Sequence, residues 1–135
     1  MHPPVHPPLT PDDVLASGGW HPRYVRVLAV ASDGDYGLAV VDGNGDGAEL
    51  EQEAWLWDDG RWIPGSSSGT GQLDTLGTIQ TGGEFGDASF AFGRAPGRAS
   101  VTISFDGQTF EVPVGPHGVW AFIKAGTGPA PTLTT

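Results

Sequence analysis

Short apolar segments, each ended by a turn rich in glycine, follow one another along this chain from Tyr24 to Lys124. Each has the length of a β-strand and is rich in β-branched and aromatic residues, the composition that strands favour. The sequence predicts strands at Val25–Ala31, Gly37–Val41, Glu53–Trp57, Ser89–Phe92, Val101–Phe105, Thr109–Val114 and Val119–Ile123. We therefore predict an all-β fold, a single antiparallel β-sandwich of about seven to eight strands.

The ends of the chain differ in composition from its body. Residues 1–19 form a Pro-rich arm, expected to be extended because proline fixes φ and lacks an amide donor. A helical turn is predicted within it at 11–16, where a proline and two acidic residues suit a helix N-terminus. Residues 20–124 are predicted to form the sandwich, and 125–135 to be a flexible tail. Residues 64–76 have the composition of a long polar loop, a kind of segment that often carries function.

The chain is strongly acidic, with sixteen acidic and six basic residues and a formal net charge of −10. Nine of the acidic residues, and no Lys or Arg, lie between Asp33 and Asp59. A surface of this sign repels phosphate backbones, so we expect no nucleic-acid partner and favour a basic protein partner. The alternative interpretation is that the charge serves solubility alone.

Cysteine is absent from the 135 residues, which excludes thiol catalysis, thiolate zinc sites and disulfides. The first thirteen residues have neither the cationic start nor the apolar core of a secretion signal. No apolar run approaches the ~18 residues that a membrane helix needs. We therefore expect a cytoplasmic protein with no membrane contact.

One motif has the ligand spacing of a calcium loop. The letters DGNGDG, followed by Glu53, fit D-x-N-x-D-G-x5-E. Its oxygen ligands would be the side chains of Asp42, Asn44, Asp46 and Glu53 and the carbonyl of Ala48. The flanking segments, however, are strand-like, whereas an EF-hand needs helices. We therefore favour a turn whose glycines and asparagine supply positive φ, and calcium is the one cofactor that the sequence suggests.

Three tryptophans, Trp55, Trp57 and Trp62, surround a turn that contains Asp58 and Asp59. Trp55 and Trp57 are two residues apart in a predicted strand and therefore share a face. Buried, they would be core, as tryptophan usually is. Exposed, they would form an aromatic surface with an acidic rim, because aromatic residues are enriched at interface hot spots. We predict a protein-interaction site at these five residues, with carbohydrate or small-ligand binding by the three tryptophans as the alternative.

A hydrolase is the third interpretation. The letters GSSSG at 65–69 fit G-x-S-x-G, but a nucleophile elbow needs a strand before the serine and a helix after it. His21 and His117 are the only histidines of the body, and no spacing links either of them to Ser67. The sequence therefore predicts a protein that acts by binding, without catalytic residues.

The C-terminal third resembles a known type of domain. The segment GRAPGRASVTISFDGQTFEVPV, followed by GVWAFI, is similar to the last strands of small Ig-like β-sandwich proteins of high-GC bacteria. The likeness lies in the Gly-Arg-Ala-Pro entry, the Val-x-Ile-x-Phe strand, the Asp-Gly turn and the closing Gly-Val-Trp. It implies that the predicted sandwich is Ig-like, and it implies no activity or catalytic residue.

Overall fold

Ten strands and one short α-helix make up the part of the chain that the structure describes. The structure is a computed structural model, and it describes residues 6–134, with the backbone alone for 81–83. The helix is α1 (Pro11–Ser17), and a 3-10 turn covers Leu73–Thr75. The strands are β1 (Arg26–Asp33), β2 (Tyr36–Asp42), β3 (Leu50–Asp58), β4 (Arg61–Gly71), β5 (Gln80–Phe85), β6 (Ala88–Arg94), β7 (Ser100–Phe105), β8 (Gln108–Pro113), β9 (Val119–Ala125) and β10 (Thr132–Thr134). Their ladders are antiparallel, which confirms the predicted all-β, sandwich-like fold.

The strands form three sheets, in the orders β1-β2-β3-β4, β5-β6-β9 and β10-β7-β8. The first two sheets face each other across the main core, where Leu38 and Val40 of β2 belong to one cluster with Phe90 and Phe92 of β6. Successive side chains of a strand point to opposite faces. The sheet β5-β6-β9 therefore presents a second set, which includes Ala91, to the sheet β10-β7-β8.

The middle sheet thus has both of its faces covered. On its outer side, Trp120 and Phe122 of β9 pack in a second cluster with Ile103 and Phe105 of β7. Strands buried on both faces have nearly continuous apolar sequences, as parallel strands do in α/β proteins. This explains why β6 and β9 contain the segments SFAF and VWAFI, with little alternation between apolar and polar residues.

Helix α1 lies against the outer face of the sheet β1-β2-β3-β4, and the helix predicted at 11–16 is confirmed. Thr10 caps it: its Oγ1 accepts a hydrogen bond from the Asp13 amide, and the Asp13 carboxylate accepts one from the Thr10 amide. This reciprocal capping box satisfies two backbone donors. Val14 is fully buried and packs in one cluster with Leu9, so residues 9–17 lie across the domain.

Three segments differ from the sequence-based expectation. In the predicted loop 64–76, residues as far as Gly71 instead continue β4 and pair with β3, because an edge strand exposed to solvent needs backbone partners rather than apolar side chains. The predicted flexible tail 125–135 contains β10, whose Leu133 pairs with Ile103 and packs against the outer cluster of the middle sheet. Strand β5 was not predicted, and the count of ten exceeds the expected seven to eight.

The one α-helix of residues 6–134 is a seven-residue segment, and no helix in that range is long and apolar enough to cross a membrane.

Candidate functional site

Four of the five tryptophans meet on the outer face of the sheet β1-β2-β3-β4. Trp55 and Trp62 are 0% and 3% exposed, so they form the core of this face. Trp57 and Trp20 are half-buried and pack against that core. Trp55 and Trp57 share a face, as their spacing indicates, but the face lies beneath residues 6–17. Of the three predicted binding tryptophans, Trp57 is therefore the one whose side chain stays partly exposed.

Gly37 allows the arm to approach the sheet this closely. It pairs with Trp55 across the β2–β3 ladder. A Cβ atom at Gly37 would lie 2.9 Å from Cδ2 of Leu9 and 3.3 Å from Cζ3 of Trp62. A side chain here would therefore fill the space in which Leu9 meets the two indoles. The glycine is a sequence signal for close contact, although it does not reveal which segment makes the contact.

The His6 ring contacts both Trp57 and Trp62. Its ring stacks on the Trp57 ring, with centroids 4.2 Å apart and planes 9° from parallel. The Trp62 ring meets it edge-on, with centroids 5.3 Å apart and planes at 85°. Nε2 of His6 is 2.8 Å from Oδ1 of Asp35. We call Trp57, Trp62 and Asp35 the His6 cage.

Both nitrogens of the His6 ring face acceptors. Nδ1 lies 3.0 Å from the Pro7 carbonyl oxygen, which also accepts a hydrogen bond from Nε1 of Trp62 at 3.1 Å. Only the imidazolium form donates from both nitrogens. The hydrogen bond to Pro7 and the interaction with Asp35 raise the pKa of His6 above its ordinary value, while partial burial opposes the rise. A cation stacked on an indole also gains from the ring quadrupole.

The cage lies at an acidic end of the sheet. Asp35 belongs to the β1–β2 turn, and its carbonyl oxygen accepts a hydrogen bond from the Trp57 amide at 2.8 Å, which ties this turn to β3. Asp58 follows Trp57 directly, and Asp59 lies in the two-residue turn to β4. Both are exposed. Asp59 and Gly60 have φ of 51° and 81°, as a tight hairpin with the right-handed strand twist requires. The predicted binding acids therefore lie beside Trp57, at the tip of the hairpin.

Glu53 lies deeper on the same face and contacts a different tryptophan. Its Oε2 accepts a hydrogen bond from Nε1 of Trp20 at 2.9 Å, and the residue is 4% exposed. Burial raises the pKa of the Glu53 carboxyl, because the charged form loses hydration. The hydrogen bond from Trp20 opposes that rise.

The DGNGDG loop closes around Asp42. This carboxylate is fully buried and accepts hydrogen bonds from the amides of Gly45 and Gly47 at 3.0 and 2.8 Å and from Arg26 at 3.0 Å. Gly45 and Gly47 have φ of 75° and 78°, the positive values expected of a turn.

The predicted calcium ligands do not meet in one place. Asn44 and Asp46 are exposed, and Oδ1 of Asp46 accepts a hydrogen bond from the Ala48 amide at 3.0 Å. Glu53 pairs with Ala39, which belongs to the cluster on the outer face of this sheet. Paired residues share a face, so the Glu53 side chain lies on that face, beneath Trp20. Within residues 6–134, no three His, Asp or Glu side chains are grouped closely enough to hold a metal ion.

The predicted serine motif lies within a strand. Ser67 is exposed in β4 and pairs with Glu53. Strand continues on both sides of it, so the strand–turn–helix geometry of a nucleophile elbow does not form here. His117 lies in the turn before β9.

No protein-family model matches the chain, and comparison with curated proteins and with solved structures finds no similar protein. The resemblance of the C-terminal third to small Ig-like proteins therefore stays a prediction. The site has to be interpreted from its own chemistry. His6 and Asp35 were not predicted from the sequence as site residues, because they are 29 positions apart and only the fold brings them together.

Proposed function

We propose that this protein is a non-catalytic binding module that takes a basic segment of a protein partner at the acidic end of the sheet β1-β2-β3-β4. The His6 cage would hold one cationic side chain of that segment. The observation that supports this proposal is the position of His6, which presents its ring to Trp57 and a ring nitrogen to Asp35. The chain itself thereby provides an example of the group that the cage accepts.

The geometry favours a flat cation. A guanidinium group is planar, stacks on aromatic faces, and donates hydrogen bonds in its own plane to a carboxylate. The imidazole of His6 makes these two contacts with Trp57 and Asp35. A lysine ammonium would approach the indole as a compact charge, without the stacking contact. The proposed partner residue is therefore arginine.

The surroundings of the cage favour a basic partner as well. Asp35 is 67% exposed, and the exposed Asp58 and Asp59 follow Trp57 in the same sheet. Such rim charges mainly speed association and make it sensitive to salt, while the buried aromatic contact contributes more to affinity. The net charge of −10 acts in the same direction.

The arrangement of the tryptophans supports a cation site over a sugar platform. The rings of Trp57 and Trp62 meet at 76°, and Trp55 is buried beneath the arm. A sugar ring stacks best on a flat exposed surface, whereas two rings at a steep angle beside a carboxylate suit a cation.

The test is calorimetric titration of an eight-residue peptide of alternating arginine and glycine into the His6→Ala protein, in which the cage is empty. We expect saturable binding of this peptide and weaker binding of the matched lysine peptide. Adding Asp35→Asn should lower the affinity for the arginine peptide about tenfold, equivalent to ~1.4 kcal/mol. Asp106→Asn is the matched control, since it removes one charge from the β7–β8 turn at a position whose positive φ asparagine tolerates. Equal binding by the two aspartate variants would show that net charge alone attracts the peptide and would contradict the cage.

A further inference from the structure

The His6 cage is occupied by the chain's own residue, and the contacts of that residue suggest how the site is controlled. Resting on the proposed function, we propose that residues 6–8 form a pH-sensitive latch, in which His6 is an internal ligand that competes with the partner's cation for the cage. In the closed state His6 covers Trp57. In the open state His6 leaves the cage, and Trp57 and Asp35 become available to the partner.

The arm is anchored immediately after the latch, so opening does not require the helix to move. Leu9 is 3% exposed, and its amide donates a hydrogen bond to Oγ of Ser32 at 3.2 Å. Capped helix α1 follows, with Val14 fully buried. The contacts of His6, in contrast, are one stacked ring, one edge contact and two hydrogen bonds near the surface. Release of His6 therefore leaves the apolar contacts of Leu9 and Val14 in place.

Two prolines restrict the backbone of the latch. Pro7 and Pro8 lie between His6 and the anchor at Leu9. Because proline fixes φ, the segment has few rotatable bonds and loses little conformational entropy when it closes. The Pro7 carbonyl oxygen accepts hydrogen bonds from both Trp62 and His6, so it links the latch to the edge of the cage.

The charges around the latch set the direction of the pH effect. Asp35 is the charged group that contacts His6 among residues 6–134. On the other elements near the cage, Asp33 of β1 pairs with Lys124 at 3.5 Å. The β3–β4 hairpin carries Asp59 in its turn, flanked by Asp58 at the end of β3 and Arg61 at the start of β4. Histidine is the side chain whose charge ordinarily changes between about pH 5 and 8. Near neutral pH the balance at the cage therefore changes chiefly through His6.

Loss of the His6 proton weakens the closed state. The imidazolium donates to both Asp35 and Pro7, whereas neutral imidazole donates from one nitrogen only and lacks the charge that pairs with Asp35. An arginine of the partner keeps its charge throughout this range. As the pH rises, His6 therefore competes less well for the cage, while the partner's arginine is unchanged. The affinity of the protein for its partner should consequently increase with pH.

The test is titration of the same arginine–glycine peptide into the wild-type and His6→Ala proteins at about pH 5.5 and about pH 8, on either side of the ordinary histidine pKa of about 6.5. We expect the His6→Ala protein to bind equally at both values. We expect the wild type to bind about tenfold more weakly at the lower pH, since a latch closed about 90% of the time reduces apparent affinity by that factor. His6→Gln, which keeps a polar side chain but does not titrate, should follow His6→Ala.

His21→Ala is the control variant, because His21 contacts Tyr24 rather than the cage. It should retain the pH dependence of the wild type. If the wild type and His6→Ala bind with the same affinity and the same pH dependence, the latch is overturned while the proposed function stands. If neither protein binds the peptide at either pH, the proposed function is overturned and the latch with it.

Discussion

The two sheets that enclose the main core are covered on their outer sides in different ways. The middle sheet is covered by the sheet β10-β7-β8, through an apolar cluster that contains Val101, Ile103 and Phe105. The sheet β1-β2-β3-β4 is covered by residues 6–17, which combine an apolar anchor at Leu9 with hydrogen bonds and a stacked histidine. The first cover is a β-sheet that packs face to face through apolar side chains. The second is a peptide segment whose outermost contacts are polar.

The two covers differ in the free energy needed to open them. Opening a cover that is held by apolar packing requires a large fraction of the free energy of global unfolding. A cover whose last contacts are two hydrogen bonds near the surface can open locally, because local openings span free energies from near zero to the global value. In the proposed latch, residues 6–8 are therefore the part of this cover that would give way to a partner.

The largest expected difference is between two tryptophans, one on each outer face. Trp120 is fully buried under the sheet β10-β7-β8, and Trp120→Ala should cost ~3–5 kcal/mol, a large part of the stability of a domain this size. Trp57 is half-buried, and Trp57→Ala should cost about 1 kcal/mol. Urea denaturation of both variants measures the two values. Equal, large losses would show that the cage is ordinary core and would remove the contrast between the two faces.

A smaller effect is expected from disturbing the anchor of the arm. Gly37→Ala places a methyl group 2.9 Å from Leu9 and should destabilise the protein by about 1–3 kcal/mol, as overpacking does. Gly69→Ala is the matched control, because no atom lies within 4 Å of a Cβ at that position of β4. Thermal denaturation compares the two. If Gly37→Ala is as stable as Gly69→Ala, the arm does not pack against the sheet as described.

A still smaller and pH-dependent effect is expected at His6. A pKa raised in the folded state adds stability that is fully present below the unfolded value of about 6.5 and is lost as the pH rises through the folded value. The melting temperature of the wild type should therefore be higher than that of His6→Ala at about pH 5, and the two melting temperatures should become equal at about pH 8 to 9. A difference that grows with pH would contradict the imidazolium assignment. His21→Ala again serves as the control.

The smallest effect is expected from calcium, which should not bind at the DGNGDG loop. The oxygens of Asp42 already accept three hydrogen bonds, and Glu53 faces Trp20 instead of the loop. A ligand that binds only the folded state raises the melting temperature by mass action. Millimolar calcium should therefore leave the melting temperature unchanged, and a rise that Asp46→Ala abolishes would restore the calcium interpretation.

Local patterns were sufficient for most of the secondary structure. The β7–β8 hairpin follows from the alternation around Ile103 and from an Asp-Gly turn, where Asp106 and Gly107 have the positive φ that such a turn requires. Helix α1 follows from Thr10, Pro11 and Asp13, all within one turn. Strand β4 and strand β10 could not be predicted in this way, because Ser66–Ser68 and Thr132–Thr134 become strands through the backbone partners they meet in β3 and β7.

The shared face of Trp55 and Trp57 and the acidic residues beside them can be predicted from the amino-acid sequence, since both depend on neighbours in the chain. The folded structure is needed to show that residues 6–17 cover this face, that Trp55 and Trp62 are buried, and that His6 contacts Asp35. A period of two residues assigns a side chain to one side of a strand but carries no information about what packs there. That choice depends on contacts between distant segments, such as Leu9 against Gly37, which local physical chemistry does not specify.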